Sequence, residues 1–272
     1  MRVTLLQVAF DDDEPLEGRR ERVAALVRRH GAGADLVVLP ELWWVGAFAA
    51  RTWAGRAEAL DGSTRTAMAS AARDAGCVLH AGSIIERADD GTIGPGGGEG
   101  LYNTSLILDA EGRLLTTYRK IHTFGAAGLE AELLAAGVDP VTCDLPGRER
   151  LRVGLATCYD LRFPELFRLL TRRGAQALIV PAAWPLERAA TWTLLLRARA
   201  IENQAYVLGC GAAGADGKTQ MAGASVVVGP TGDVLAQAGA GEQVLTCEID
   251  ASEVDRARAA FPVLADRRLT TC

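Results

Sequence analysis

A cysteine stands where an apolar, strand-like run gives way to a helix-like segment. Val153 to Ala156 make the run, Thr157 and Cys158 end it, and the amphipathic stretch Leu161 to Leu170 follows. Backbone N–H groups without helical partners gather at such a junction, and a thiolate held there is favoured. A thiol is mostly protonated at neutral pH, so a nucleophilic Cys158 needs a base or a cation close by. Two bases are on offer. His122 is the histidine placed for a Cys–His pair, because His30 closes a helix before a turn and His80 lies inside a strand. Glu41, directly after Pro40, is the alternative. A carboxylate in a closed apolar site holds a proton more firmly, and can take one from a thiol and return it to a leaving amine. Trp43 and Trp44 would wall that site. Lys120 and the backbone N–H of Tyr159 could steady the negative charge of a tetrahedral intermediate. Spacing alone leaves both pairings open. A lone cysteine most often packs in a core, Glu41 and Lys120 could be solvated, His122 could be a structural hydrogen-bonder, and Trp53, Trp184 and Trp192 are expected in the core.

The elements that must position these residues follow from periodicity. Strands are expected over 2–10, 35–39 and 77–85, with helices over 17–30 and 63–74 between them. Val23, Leu26 and Val27 share one face of the first helix, and Gly31 and Gly33 stop it. Two hairpin strands, 103–108 and 113–118, turn around Asp109 to Gly112 and lead to Lys120. A loop with room for a short helix fills 121–137. Strands at 141–145, 153–156, 176–180 and 205–210 alternate with helices at 161–170 and 186–203. The runs 222–228, 234–237 and 243–249 read as one antiparallel series, and Ser252 can cap a last helix to about Ala260. Residues 89–100 form the single low-complexity patch, read as a hairpin tip; its glycines lack a phosphate-loop pattern. Gly33 to Pro40 and Gly174 to Pro181 are similar to each other, and each ends a strand–helix–strand unit. Two such units can pack as two related sheets, with Cys158 and Glu41 both beyond the carboxyl ends of strands, where α/β folds place their sites.

The chain has 272 residues, 49% of them hydrophobic, and a net charge of −5. That length fits one α/β domain over 1–272, with 261–272 as a tail. Without a basic block, no nucleic-acid partner is expected. No run approaches a membrane span, and Asp11 to Glu14 stand where a secretory signal would be cleaved, so no membrane association is expected. The six cysteines show no CxxC and no regular spacing. They suggest neither a disulfide framework nor a metal site, and a reducing cytoplasmic setting is expected, with Cys272 exposed in the tail.

Leu39-Pro-Glu-Leu42, Tyr118-Arg-Lys-Ile-His-Thr-Phe124 and Cys158-Tyr-Asp-Leu-Arg-Phe-Pro-Glu165, with Arg197 to Gln204, make the chain resemble the nitrilase superfamily of carbon–nitrogen hydrolases over its whole length. The resemblance implies a four-layer α-β-β-α sandwich whose subunits pair through helices, so a homodimer or higher homo-oligomer is expected. It puts the family's catalytic glutamate on Glu41, its lysine on Lys120 and its cysteine on Cys158. It puts a further supporting glutamate on Glu130 rather than Glu132. It implies no metal or organic cofactor. The Cys158 motif is similar to the omega-amidase and deaminated-glutathione-amidase group, which implies a small carboxylate-bearing amide as substrate. An N-carbamoyl amide hydrolase, or a non-catalytic binding protein on the same fold, are the alternatives. The loop after Lys120 carries small residues that set this chain apart from relatives.

Overall fold

The computed structural model describes residues 1–89, 91–92, 100–125, 130–147 and 150–269. The chain runs β1 (Arg2–Gln7), β2 (Ala9–Phe10), α1 (Leu16–Gly31), β3 (Leu36–Val38), α2 (Trp53–Arg56), α3 (Ser63–Ala75), β4 (Val78–Arg87), β5 (Leu101–Leu108) and β6 (Leu114–Arg119). After α4 (Glu130–Leu133) come β7 (Thr142–Leu145), β8 (Leu151–Leu155), α5 (Pro164–Arg172), β9 (Ala177–Ala182), α6 (Ala189–Asn203) and β10 (Tyr206–Gly211). The chain then forms β11 (Ala213–Asp216), β12 (Thr219–Gln220), β13 (Val226–Val228), β14 (Val234–Gln237), β15 (Gln243–Glu248) and α7 (Ser252–Ala260). One six-stranded sheet has the order β15-β1-β3-β4-β5-β6, and a second has the order β14-β13-β10-β9-β8-β7. The two strand–helix–strand units fall in different sheets, with β1 parallel to β3 and β8 parallel to β9.

Alternation along the strands makes the layers. Leu36 and Val38 of β3 join the core that holds Val153, Leu155, Ile179 and Val207 of the second sheet. Val37 between them packs with Val23 and Val27 of α1 and Met68 of α3. A strand buried on both faces needs this unbroken apolar run. Phe167 of α5 and Trp192 of α6 cover the second sheet in the same way. The result is the α-β-β-α sandwich that the resemblance implied.

Four details differ from the sequence reading. The first strand breaks at Val8, and β2 pairs with β11 in a small third sheet. The segment after Cys158 is no single helix: residues 158–162 form a 3-10 turn, Phe163 is extended, and α5 starts at Pro164. A residue before proline is driven out of helical conformation, and proline suits the first helical position. β15 leaves the antiparallel series and pairs with β1 of the other sheet. The buried Gln7 side chain holds that crossing: its Nε2 donates to the carbonyls of Gly239 and Gly241, and its Oε1 accepts from Ser225 N–H. Ser252 does not cap α7. Asp250 Oδ1 accepts from both Ser252 N–H and Ser252 Oγ, which helps pull that carboxyl down to about 2. Residues 90 and 93–99 of the glycine-rich patch, and Cys272, lie outside the described residues.

Candidate active site

Glu41 follows β3 on a stretch of backbone pressed against β4. Leu39 N–H donates to His80 O at 2.9 Å and Leu42 N–H to Ser83 Oγ at 3.1 Å. Between those acceptors stands Gly82 with φ +69°, where a Cβ would come within 2.1 Å of Pro40 O. Only glycine allows that approach. Lys120 follows β6 and is tied to β5 by its N–H, 2.8 Å from Asn103 O. Cys158 opens the 3-10 turn after β8 in the left-handed region, φ +47°. Three strand ends thus carry three side chains to one place.

The Lys120 ammonium sits between two carboxylates. Its Nζ donates to Glu41 Oε1 at 2.9 Å and to Glu130 Oε1 and Oε2 at 3.0 and 2.9 Å. Asn103 Nδ2 bridges the same pair, at 2.9 Å from Glu41 Oε1 and 3.0 Å from Glu130 Oε1. Glu41 Oε2 accepts from Ala183 N–H at 3.0 Å, and Glu130 Oε2 from Phe124 N–H at 2.7 Å. Glu41, Lys120 and Glu130 are only 3%, 2% and 7% exposed. Ions this deep are stable only when paired and fully hydrogen-bonded, and here they are. Glu132 is exposed, which places Glu130 and not Glu132 against the lysine.

Two buried carboxylates around one ammonium leave a negative surplus. Burial alone would strip the proton from Lys120, but Glu130 and then Glu41 outweigh it and hold its pKa well above that of an ordinary lysine. Burial pushes the Cys158 thiol well up, and the charge of Glu41 adds to this, while Lys120 opposes it. The strand–helix junction therefore does not favour a resting thiolate, contrary to the expectation from sequence. The sulfur keeps its proton at rest, under the influence of the Glu41 carboxylate. Such an arrangement calls for transfer of that proton at the moment of attack, with the carboxylate as acceptor.

Cys158, Glu41, Lys120, Glu130 and Tyr159 line a cavity of about 790 Å³. Its aromatic wall is made by Phe48, Trp53, Phe124, Tyr159 and Trp184, not by Trp43 and Trp44; Trp43 is spent on the fold, its Nε1 donating to Ala81 O at 2.9 Å. Trp53, Trp184 and Trp192 are all buried in the core, as expected. His122 does not line the cavity: its Nδ1 is 2.7 Å from Asp160 Oδ1 and its ring stacks on Phe163. Tyr159 N–H lies in the first turn of the 3-10 segment, where helical partners are missing. Arg162, Arg188 and Lys218 also line the cavity. Among the described residues no group of three or more His, Cys, Asp or Glu is arranged to hold a metal.

Sequence reasoning missed Asn103 and Asp160. The signal for Asn103 was an amide inside the fully buried strand Leu101–Leu108, a position that is costly without partners. Asp160 lay inside the Cys158 motif and carried no separate signal.

The carbon-nitrogen hydrolase family profile matches residues 2–259. A 2-oxoglutaramate amidase of Paenarthrobacter nicotinovorans is 41% identical, over 98% of this chain and 89% of that protein. An omega-amidase of Homo sapiens is 36% identical, over 87% of this chain and 84% of that protein. The crystal structure of a Saccharomyces cerevisiae member of branch 10 of the nitrilase superfamily superposes with a TM-score of 0.85 at 30% identity, covering 99% of this chain and 97% of that one. With a match from end to end and a cysteine, two glutamates and a lysine gathered at one cavity, this chain belongs to the carbon-nitrogen hydrolase family.

Proposed function

We propose that this protein is a cysteine amidase of the omega-amidase class, which releases ammonia from a small amide that also bears a carboxylate. The observation that carries the reading is the contact set around Lys120, with Glu41 and Glu130 on either side of its ammonium and Cys158 on the same cavity. The names of the relatives, 2-oxoglutaramate amidase and omega-amidase, support this substrate class. So do Arg162 and Lys218, exposed cations on the cavity lining that suit a carboxylate at the far end of the substrate.

Glu41 takes the Cys158 proton as sulfur attacks the amide carbon. The carbonyl oxygen becomes an oxyanion, held by Lys120 Nζ and the Tyr159 N–H. Two of the lysine's contacts run to the same carboxylate, so one N–H can turn to the oxyanion without leaving Glu130 unpaired. Glu41 passes the proton to the leaving nitrogen, the C–N bond breaks, and ammonia departs from a thioester. Glu41 then takes a proton from water, whose hydroxide attacks the thioester; the acid forms and the proton returns to sulfur. Glu130 and Asn103 hold Lys120 and Glu41 in register throughout. The working molecule is proposed to be a homo-oligomer paired through the outward face of α6, where Leu194 and Ile201 are exposed.

Ammonia release from a panel of small amides, with and without an ω-carboxylate, tests this. The wild-type protein should prefer the carboxylate-bearing members, and Cys158→Ala should release nothing while melting near the wild-type temperature. Turnover retained in Cys158→Ala would defeat the nucleophile, and equal turnover of the uncharged amides would defeat the substrate class.

A further inference from the structure

Asp160 is a fully buried carboxylate that the reaction above does not use, and among the described residues no lysine or arginine pairs with it. Its Oδ2 accepts from Thr157 N–H at 2.8 Å and from Tyr118 OH at 2.7 Å. Its Oδ1 accepts from His122 N–H at 2.9 Å and lies 2.7 Å from His122 Nδ1. Tyr118 OH also accepts from Ile121 N–H at 3.3 Å. One carboxylate therefore grips the residue before Cys158 and residues on both sides of Lys120. The grip is stiff at each end. The His122 ring lies flat on Phe163, 3.7 Å between centroids and 5° between planes. Burial, with the charge of Asp160, pushes the Tyr118 phenol well up, so it stays a donor.

This arrangement answers a local need. Cys158 holds a left-handed φ of +47°, a conformation that is strained for a non-glycine residue and persists only when its surroundings impose it. Asp160 imposes it from both sides, through Thr157 N–H by its side chain and Thr157 O by its own N–H at 3.0 Å. We infer that Asp160 is a positioning residue that fixes the Cys158 turn and Lys120 as one rigid unit, so that sulfur and ammonium meet the two ends of the same carbonyl bond.

The inference rests on the proposal that Lys120 steadies an oxyanion, and its test separates the two. Alkylation of Cys158 by iodoacetamide forms a C–S bond, expels iodide and sends the thiol proton to Glu41; no oxyanion develops. Amide hydrolysis needs Lys120 in register as well. In Asp160→Asn, kcat for the amide should fall about 100-fold, the cost of a misplacement of the order of 1 Å, with KM and the alkylation rate within about threefold of wild type. Tyr118→Phe, which removes one donor and keeps the ring, should show a smaller split in the same sense and decides the matter should Asp160→Asn fail to fold. Turnover near wild type in both variants, or turnover and alkylation falling together in step with a lost melting transition, would overturn the inference. A wild-type protein that iodoacetamide does not label at Cys158 would strike at the nucleophile itself and take this inference with it.

Discussion

Glutamine at position 41 should make the thiol more acidic and the enzyme nearly inert. Glu41 is the strongest charge raising the Cys158 pKa, and Lys120 is the charge that lowers it. Removing the carboxylate charge takes away the largest charge that opposes the Lys120 ammonium at the sulfur, so the thiol pKa should drop. Turnover should move the other way. A positioned general base is worth about 10²–10⁴-fold, or about 3–5 kcal/mol of barrier, and the proposed mechanism uses Glu41 in both halves of the reaction. The fold should survive at some cost. The new NH₂ group must face either Ala183 N–H or the donors of Lys120 and Asn103, because both carboxylate oxygens now accept. One donor set against another in a buried site costs about 1–3 kcal/mol. Two assays on Glu41→Gln read this: the pH profile of iodoacetamide labelling at Cys158, and steady-state ammonia release. A labelling midpoint shifted down, together with at least 100-fold lower kcat/KM, fits the reasoning. Activity within tenfold of wild type, or a midpoint shifted up, would refute it, and the former would point back to a Cys–His pair.

Further perturbations test the framework around the site. Lys120→Met would leave Glu41 and Glu130 buried together without their cation; an uncompensated buried charge costs about 3–5 kcal/mol, so the melting temperature should fall sharply along with turnover. Gln7→Leu removes the clamp on the β14–β15 crossing and leaves two carbonyls and the Ser225 N–H without their partner; denaturant unfolding should show a loss of about 2–3 kcal/mol with ammonia release unchanged. Burial pulls the His80 imidazole from 6.5 down to about 4. The unfolded chain takes up that proton below its own pKa and the folded chain refuses it, so this contribution to stability is full above pH about 6.5 and is lost as pH falls towards 4, about 3 kcal/mol in all. His80→Asn should flatten the unfolding free energy across that window, and an unchanged slope would contradict the assignment.

Periodicity placed Glu41, Lys120 and Cys158 at strand ends, the family resemblance singled them out together with Glu130, and the structure brings all four to one cavity. What periodicity cannot convey is which neighbour a side chain meets. Trp43 and Trp44 follow Glu41 closely in sequence, yet the left-handed turn at Leu42 carries the chain away and the tryptophans that line the cavity are Trp53 and Trp184. His122 stood two residues from Lys120 and looked like a partner for sulfur; its hydrogen bond is to Asp160. The strand–helix junction suggested a favoured thiolate, but burial, with a carboxylate from the other sheet, reverses that sign. The fold followed from apolar runs and two similar strand–helix–strand units. The crossing of β15 to the first sheet did not, because it is held by pairing with β1 and by the buried Gln7 amide, both joining residues more than two hundred positions apart.

In the proposed mechanism the sulfur of Cys158 carries the acyl group between two half-reactions. Rapid acid quench of the protein with a carboxylate-bearing amide such as 2-oxoglutaramate, followed by digestion and mass spectrometry, tests it most directly. A transient mass increase equal to the acyl group should appear on the peptide containing Cys158, formed as ammonia is released and lost as the acid appears. Ammonia released in full with that peptide unmodified at every time point, or with the acyl group on another residue, would contradict it.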